Sequence, residues 1–206
     1  MKKSFISTRL LTEIALVSAI AFALDFFQGG LCRGIFPNGG SIGLAMLPIF
    51  ILTFRRGLGA GLIAGGILAF LQMLGGVFAV PSSWYMVVLQ ILLDYVLAYP
   101  LLALGAGLFA KKFKNTESHK KQVTVLTWGV IVGGLFKFLS HFIAGVVFWG
   151  SNAPEGFPGG EFVYSLAYNG AYMLPNIIIN LLIILLIFAK QPKILIPENK
   201  EEKVNA

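Results

Sequence analysis

Two charged side chains stand inside apolar sequence: Asp94 in ILLDYVLAY and Lys137 in GLFKFLSHF. A charge at bilayer depth costs at least ~2.5 kcal/mol on insertion scales, so each must face another charge, a bundle interior or a wet cavity. An ion pair between them is the plainest explanation. His141 lies one helical turn beyond Lys137 and Trp149 two turns beyond His141, so the three form one stripe. Tyr95 adjoins Asp94. Tyr164 and Asn169 follow a Gly/Pro-rich loop and add a hydroxyl and an amide. A buried carboxylate beside aromatic faces suits a flat cationic ligand, through Coulomb attraction and cation–π contact. Trp84 and Tyr85 are placed to extend the rim. Trp149 taken alone also fits an interfacial aromatic belt.

Bond-breaking chemistry is poorly supported by these residues. Asp94, His141 and Lys137 could act as acid, base and electrostatic partner of an intramembrane enzyme, but no HExxH, GxSxG or paired-glutamate protease motif occurs. The single cysteine, Cys32, excludes an intramolecular disulfide and builds no metal site alone. No metal and no cofactor is expected.

The elements that must position these groups are membrane helices. With 57% hydrophobic and 12% charged residues in 206, the chain has too little polar surface for a soluble globule. The net charge of +7 sits in short clusters between apolar runs, a pattern of membrane loops and not of nucleic-acid binding. An all-α integral membrane protein of one domain, 1–206, is expected, with spans at about 10–27, 43–54, 57–78, 84–110, 123–149 and 162–189 and a flexible tail over 190–206. The second run has only about twelve residues, ~18 Å against a ~30 Å hydrocarbon layer, so it is a short or loop-extended span. The basic start and the Ala21-Phe22-Ala23 triplet mimic a cleaved signal, but further spans follow. Gly57, Gly61 and Gly65 set a spacing for tight helix contact. Ala15, Ala19 and Ala23 leave one face of the first helix smooth, either for packing within the chain or for docking of a separate protein.

Charge fixes the orientation. The N-terminus, Arg55-Arg56, the 111–121 loop and the tail hold 14 of the 16 Lys and Arg residues, leaving Arg33 and the intramembrane Lys137. The positive-inside rule then puts both termini of the six-span chain in the cytoplasm. Asp94 and Lys137 lie ~15–18 Å below the outer surface, and the loop over 150–161 opens outward.

The stretches RRGLGAGLIAG, DYVLAY, KFLSHFIAGVVFWGS and VYSLAYNG resemble the thiamine-specific substrate-binding (S) components of energy-coupling-factor (ECF) vitamin transporters, over almost the whole chain. The resemblance implies ligand-binding roles for Asp94, Tyr95, His141, Trp149, Tyr164 and Asn169. Trp149 would stack on the vitamin, and Asp94, His141 and Asn169 would hydrogen-bond it or balance its charge. Lys137 would be a charge partner beneath His141. It also implies that Ala15, Ala19 and Ala23 dock on a membrane coupling (T) protein driven by two ATPase subunits, in a bacterial cytoplasmic membrane. The chain itself has no Walker A sequence. Two departures stand out: Asp94 occupies a position where the family commonly has glutamate, and the first outer loop lacks a tryptophan, with Phe36 the nearest aromatic substitute. Other readings keep the fold and change the vitamin, or make the chain a self-sufficient secondary transporter, although paired inverted repeats are not evident.

Overall fold

The computed structural model describes residues 7–80 and 82–196. Lys2, Lys3 and the tail beyond residue 196, which the charge count used, lie outside the described residues. Within them the chain is helical, with no strand. Helix α1 spans Thr8–Cys32, α2 Met46–Arg56, α3 Leu58–Leu74, α4 Trp84–Ile91, α5 Ala98–Lys114, α6 His119–Phe148 and α7 Gly160–Lys190. A π-helical turn, Leu92–Val96, joins α4 to α5. Three helices, α1, α6 and α7, are long and apolar enough to cross a membrane, and α4 with α5 makes a fourth if the bent pair is one span.

Ser7 starts α1 as its N-cap, accepting the Leu10 N–H at 3.2 Å. The helix then runs five residues past Phe27, where loop chemistry was expected to begin. Ala15, Ala19 and Ala23 are all exposed, whereas Ile14, Ser18, Ala21, Gln28 and Cys32 turn inward. Among the described residues, the alanine face is left exposed.

The short second segment is a helix at the centre of the bundle. Met46 to Phe50 and Leu52 to Phe54 are all buried, so α2 is walled by protein and its brevity exposes little backbone to lipid. Phe50 and Phe54 share the core with Leu102, Phe113, Leu126, Val130 and Phe188. Gly65 lets α3 press on the chain at Tyr99–Pro100, where a Cβ would stand 2.9 Å from backbone atoms. That approach seats Tyr99 in the interior. The large apolar side chains left outside, including Leu16, Ile20, Phe70, Leu139 and Leu182, form the surface for acyl chains.

Span four is not the straight helix that its composition predicts. Pro100 has no N–H to give Val96, and its ring crowds that carbonyl. The helix responds with the π turn and a 47° bend between the flanking segments. Asp94 and Tyr95 lie within the turn.

Far from this bend, Glu13 meets Arg9 at 3.4 Å, Arg55 at 3.2 Å and Arg56 at 2.5 Å. Arg55 also donates to the carbonyls of Lys193 and Ile194, each at 2.9 Å, and Leu195 is buried. Residues 191–196, expected as the start of a flexible tail, are thus pinned to the bundle by a guanidinium and an apolar anchor.

Candidate ligand-binding site

The helices enclose a cavity of about 580 Å³, within the range of small-molecule sites. Asp94, Tyr95, Lys137, His141, Trp149, Tyr164 and Asn169 all line it. Trp84 and Tyr85 do not. They are 78% and 53% exposed at the start of α4 and pack edge-to-face on each other, with centroids 5.9 Å apart. An amphipathic aromatic pair at a span end is at home in the membrane interface.

On one wall the Trp149 indole N–H donates to Asp94 Oδ2 at 2.9 Å, and His141 Nδ1 lies 3.6 Å from Asp94 Oδ1. The second distance is too long for a hydrogen bond. The carboxylate is therefore held at the N–H edge of the indole, with the Phe78 ring 6.0 Å from that of Trp149. Tyr95 accepts the Phe78 N–H at 2.9 Å, and Gln90 clasps the same loop through Val80 N and Phe78 O.

The expected Asp94–Lys137 ion pair does not form among the described residues. Lys137 instead puts its ammonium 3.4 Å above the Tyr99 ring. The Tyr99 hydroxyl donates to Asp25 Oδ1 at 2.9 Å, and Gln72 donates to Asp25 Oδ2 at 2.7 Å. Lys137 thus reaches Asp25 only through Tyr99, whose ring it faces and whose hydroxyl binds that carboxylate. Lys137 and His141 share one stripe but stand one turn apart, and it is His141 that lies level with Asp94 while Lys137 lies level with Tyr99.

A third wall comes from the segment between α1 and α2. Phe36, Asn38, Gly40 and Ser41 line the cavity, and α7 grips this segment from below. Tyr168 accepts the Asn38 N–H at 3.0 Å and donates to Gly39 O at 2.9 Å. Asn176 binds Ser41 O and the Gly43 N–H, and Asn180 binds Gly43 O. Phe36 packs edge-to-face on Tyr168 and Tyr172. Asn169 spends its amide on Ser165 and accepts the Tyr172 hydroxyl.

Asp25, Gln28, Gln72, Tyr99, Tyr168, Tyr172 and Asn176 also line the cavity without having been singled out in the sequence. Some signals were available. Asp25 is an acid inside an apolar run, which membrane energetics flags by default. Tyr168 and Tyr172 continue Tyr164 at four-residue spacing, one helix face. Gln28 and Gln72 carried no such mark. Among the described residues, no cluster of His, Cys, Asp and Glu side chains is arranged to hold a metal ion.

The profile of a family described as thiamine transporter protein (Thia_YuaJ) matches residues 11–196. The chain belongs to this family. It is 35% identical over 189 residues to the thiamine transporter ThiT of Bacillus subtilis (strain 168), covering 90% of this chain and 93% of that protein. It is 29% identical over 198 residues to the thiamine transporter ThiT of Lacticaseibacillus paracasei, with 92% of each covered. Among solved structures, ThiT from Listeria monocytogenes superposes with a TM-score of 0.73 at 28% identity, covering 91% of this chain and 97% of that one. The chain is thus a multi-pass membrane protein of the thiamine transporter family, and its relatives are named as transporters and not as enzymes.

In this thiamine transporter family member the α6–α7 contact is tight at the cavity wall. A Cβ on Gly145 would collide with Ser165 Oγ and stand 2.8 Å from Asn169 Nδ2. Gly145→Ala is expected to lower stability by ~1–3 kcal/mol, the usual cost of overpacking. Gly170→Ala, where a Cβ meets nothing within 4 Å, is the control and should leave the melting temperature unchanged or raised. Equal melting temperatures for Gly145→Ala and wild type would show that the two helices can part at no cost.

Proposed function

We propose that this chain is the high-affinity thiamine-binding subunit of an ECF-type, ATP-driven uptake transporter, and that the cavity is its vitamin site. The observation that carries the reading is the Asp94–Trp149 pair on the wall of a cavity in a thiamine-family chain. Thiamine carries a fixed positive charge on a flat thiazolium ring, so a carboxylate held at the edge of an indole, next to the ring face on which the cation can stack, offers both of the attractions it can use. Trp149 stacks on the ring, Asp94 balances its charge, and His141, Tyr95, Tyr164 and Asn169 orient the polar groups. Lys137, tied through Tyr99 to Asp25, serves as a structural charge partner, and Phe36 is the aromatic of the outer segment. Trp84 and Tyr85 have no part in this site.

The topology belongs to the same proposal: six spans with both termini in the cytoplasm of a bacterial cell, α2 and α3 supplying the two shorter crossings. Vitamin enters from outside through the face bounded by residues 33–45 and 150–161. The exposed Ala15, Ala19 and Ala23 face of α1 is the docking surface for a membrane coupling protein with two ATPase subunits. Support comes from the exposure of all three alanines and from the absence of a Walker A sequence in the chain.

Two measurements test this. Mass spectrometry of the purified protein should find thiamine as the co-purifying small molecule, with riboflavin, pyridoxine and biotin failing to compete for the site. Liposomes holding this chain alone should bind thiamine without accumulating it, and uptake should appear when the coupling protein and ATPases are added with ATP inside the compartment they face. Concentrative uptake by the chain alone would identify a self-sufficient transporter instead.

A further inference from the structure

We infer that Ser140, a residue that lines no part of the cavity, is a positioning residue that sets the cation selectivity of the site by holding the π turn that carries Asp94. In a regular α-helix the Leu97 N–H would reach the Leu93 carbonyl, four residues back. Here it goes to Leu92 at 2.8 Å, five residues back, as the π turn requires. The Leu93 carbonyl, adjacent to Asp94, loses that partner. Ser140 on α6 supplies another: its hydroxyl donates to Leu93 O at 2.6 Å.

The bond crosses between helices, as does the one from the Ser165 hydroxyl to Phe142 O at 2.8 Å. A helical serine usually turns its hydroxyl back to a carbonyl of its own helix, as Ser18 does toward Ile14. Ser140 instead reaches across to span four, and it is 2% exposed, so a carbonyl left unpaired there would find no water. Ser140 sits next to His141 on α6, the helix that also leads into Trp149. The two groups that touch Asp94 and the group that pins its backbone therefore ride on one helix and hold the π turn from both sides of the same residue. Asp94 within the turn and Tyr99 just beyond it both line the cavity.

Ser140→Ala leaves the Leu93 carbonyl without its cross-helix partner. Pro100 still imposes the break, so the turn loosens and no longer fixes the carboxylate against the indole N–H. The inference rests on the reading of Asp94 as the counter-ion of a cationic vitamin, so its test uses two ligands: thiamine, and a neutral isostere in which an uncharged aromatic ring replaces the thiazolium. Binding of each is measured by calorimetry on the detergent-solubilised full chain. Ser140→Ala should weaken thiamine roughly tenfold, the scale of one lost buried hydrogen bond, and weaken the isostere by less than about twofold. In an Asp94→Asn background the same substitution should have no further effect on thiamine, because both changes act through one carboxylate. Ser140→Cys, nearly isosteric and a weak donor, should give an intermediate ratio and serves if the alanine variant does not fold.

Equal loss for both ligands, or losses that add in the double variant, would overturn the positioning role and leave Ser140 a general packing group. If Asp94→Asn itself leaves thiamine binding intact, the counter-ion reading fails. If Asp94→Asn weakens thiamine and neither Ser140 variant changes the ratio, the present inference alone fails.

Discussion

Asp94→Asn is expected to lower thiamine affinity by roughly 10²–10³-fold while preserving the fold, since losing one member of a desolvated charge pair costs ~2–5 kcal/mol. The substitution is nearly isosteric. The asparagine oxygen can still accept the indole N–H that Asp94 Oδ2 accepts at 2.9 Å, so the Trp149 ring stays in place. What disappears is the charge. His141 offers no replacement, because it stands 3.6 Å from the carboxylate and presents no anion. Lys137 and Arg33 sharpen the effect: both line the cavity, so with Asp94 neutral only Asp25 opposes two cations, and the lining meets the thiazolium with a net positive charge. Calorimetry is the appropriate measurement, with thermal melting as the check on folding. A dissociation constant within about threefold of wild type would remove Asp94 from the site.

Trp149→Ala is expected to be as damaging, by a different route. It deletes the stacking face, worth ~0.5–2 kcal/mol for a cation, along with the apolar area that the ring buries and the N–H that orients Asp94. A loss of about a hundredfold is expected from the combination. Trp149→Phe separates the contributions, since it keeps a ring and loses the N–H, and its loss should be nearer tenfold. The chain has three tryptophans, and the other two, Trp84 and Trp128, are 78% and 54% exposed and lie outside the cavity lining. Quenching of intrinsic fluorescence by thiamine should therefore arise from Trp149 and vanish in Trp149→Phe even where calorimetry still detects binding. Persistent quenching in that variant would place the vitamin against another indole.

Both expectations draw on residues whose types and spacing were legible in the sequence. The Lys137, His141, Trp149 stripe follows from helical period alone, and Asp94 and Tyr95 declare themselves by standing in apolar sequence. Reading fails where the partner of a group lies on another helix. Lys137 and Asp94 are both charged and at similar depth by residue count, which made them a natural pair, yet a count along each helix does not say which side chains come level. Packing turns Asp94 to the indole and leaves Lys137 to Tyr99 and, through it, to Asp25. Trp84 and Tyr85 lie outside the cavity lining for a related reason: proximity in sequence to a span end does not decide whether a ring faces lipid or cavity.

Composition and spacing were enough to read this chain as a membrane protein, to locate its apolar runs, to pick out Asp94, Lys137 and His141 as polar groups at depth, and to see which family it resembles. Composition and helical period suffice for that, because hydropathy acts on each segment separately. The tertiary structure decided which of those groups share a cavity. The break in span four depends on the crowding of Pro100 against Val96 and on a hydroxyl offered by α6; the seat of Tyr99 depends on Gly65 letting α3 approach; the third wall depends on Asn176 and Asn180 holding residues 41–43. Each is a contact between segments far apart in the chain, where the energy lies in a distance that no local pattern encodes.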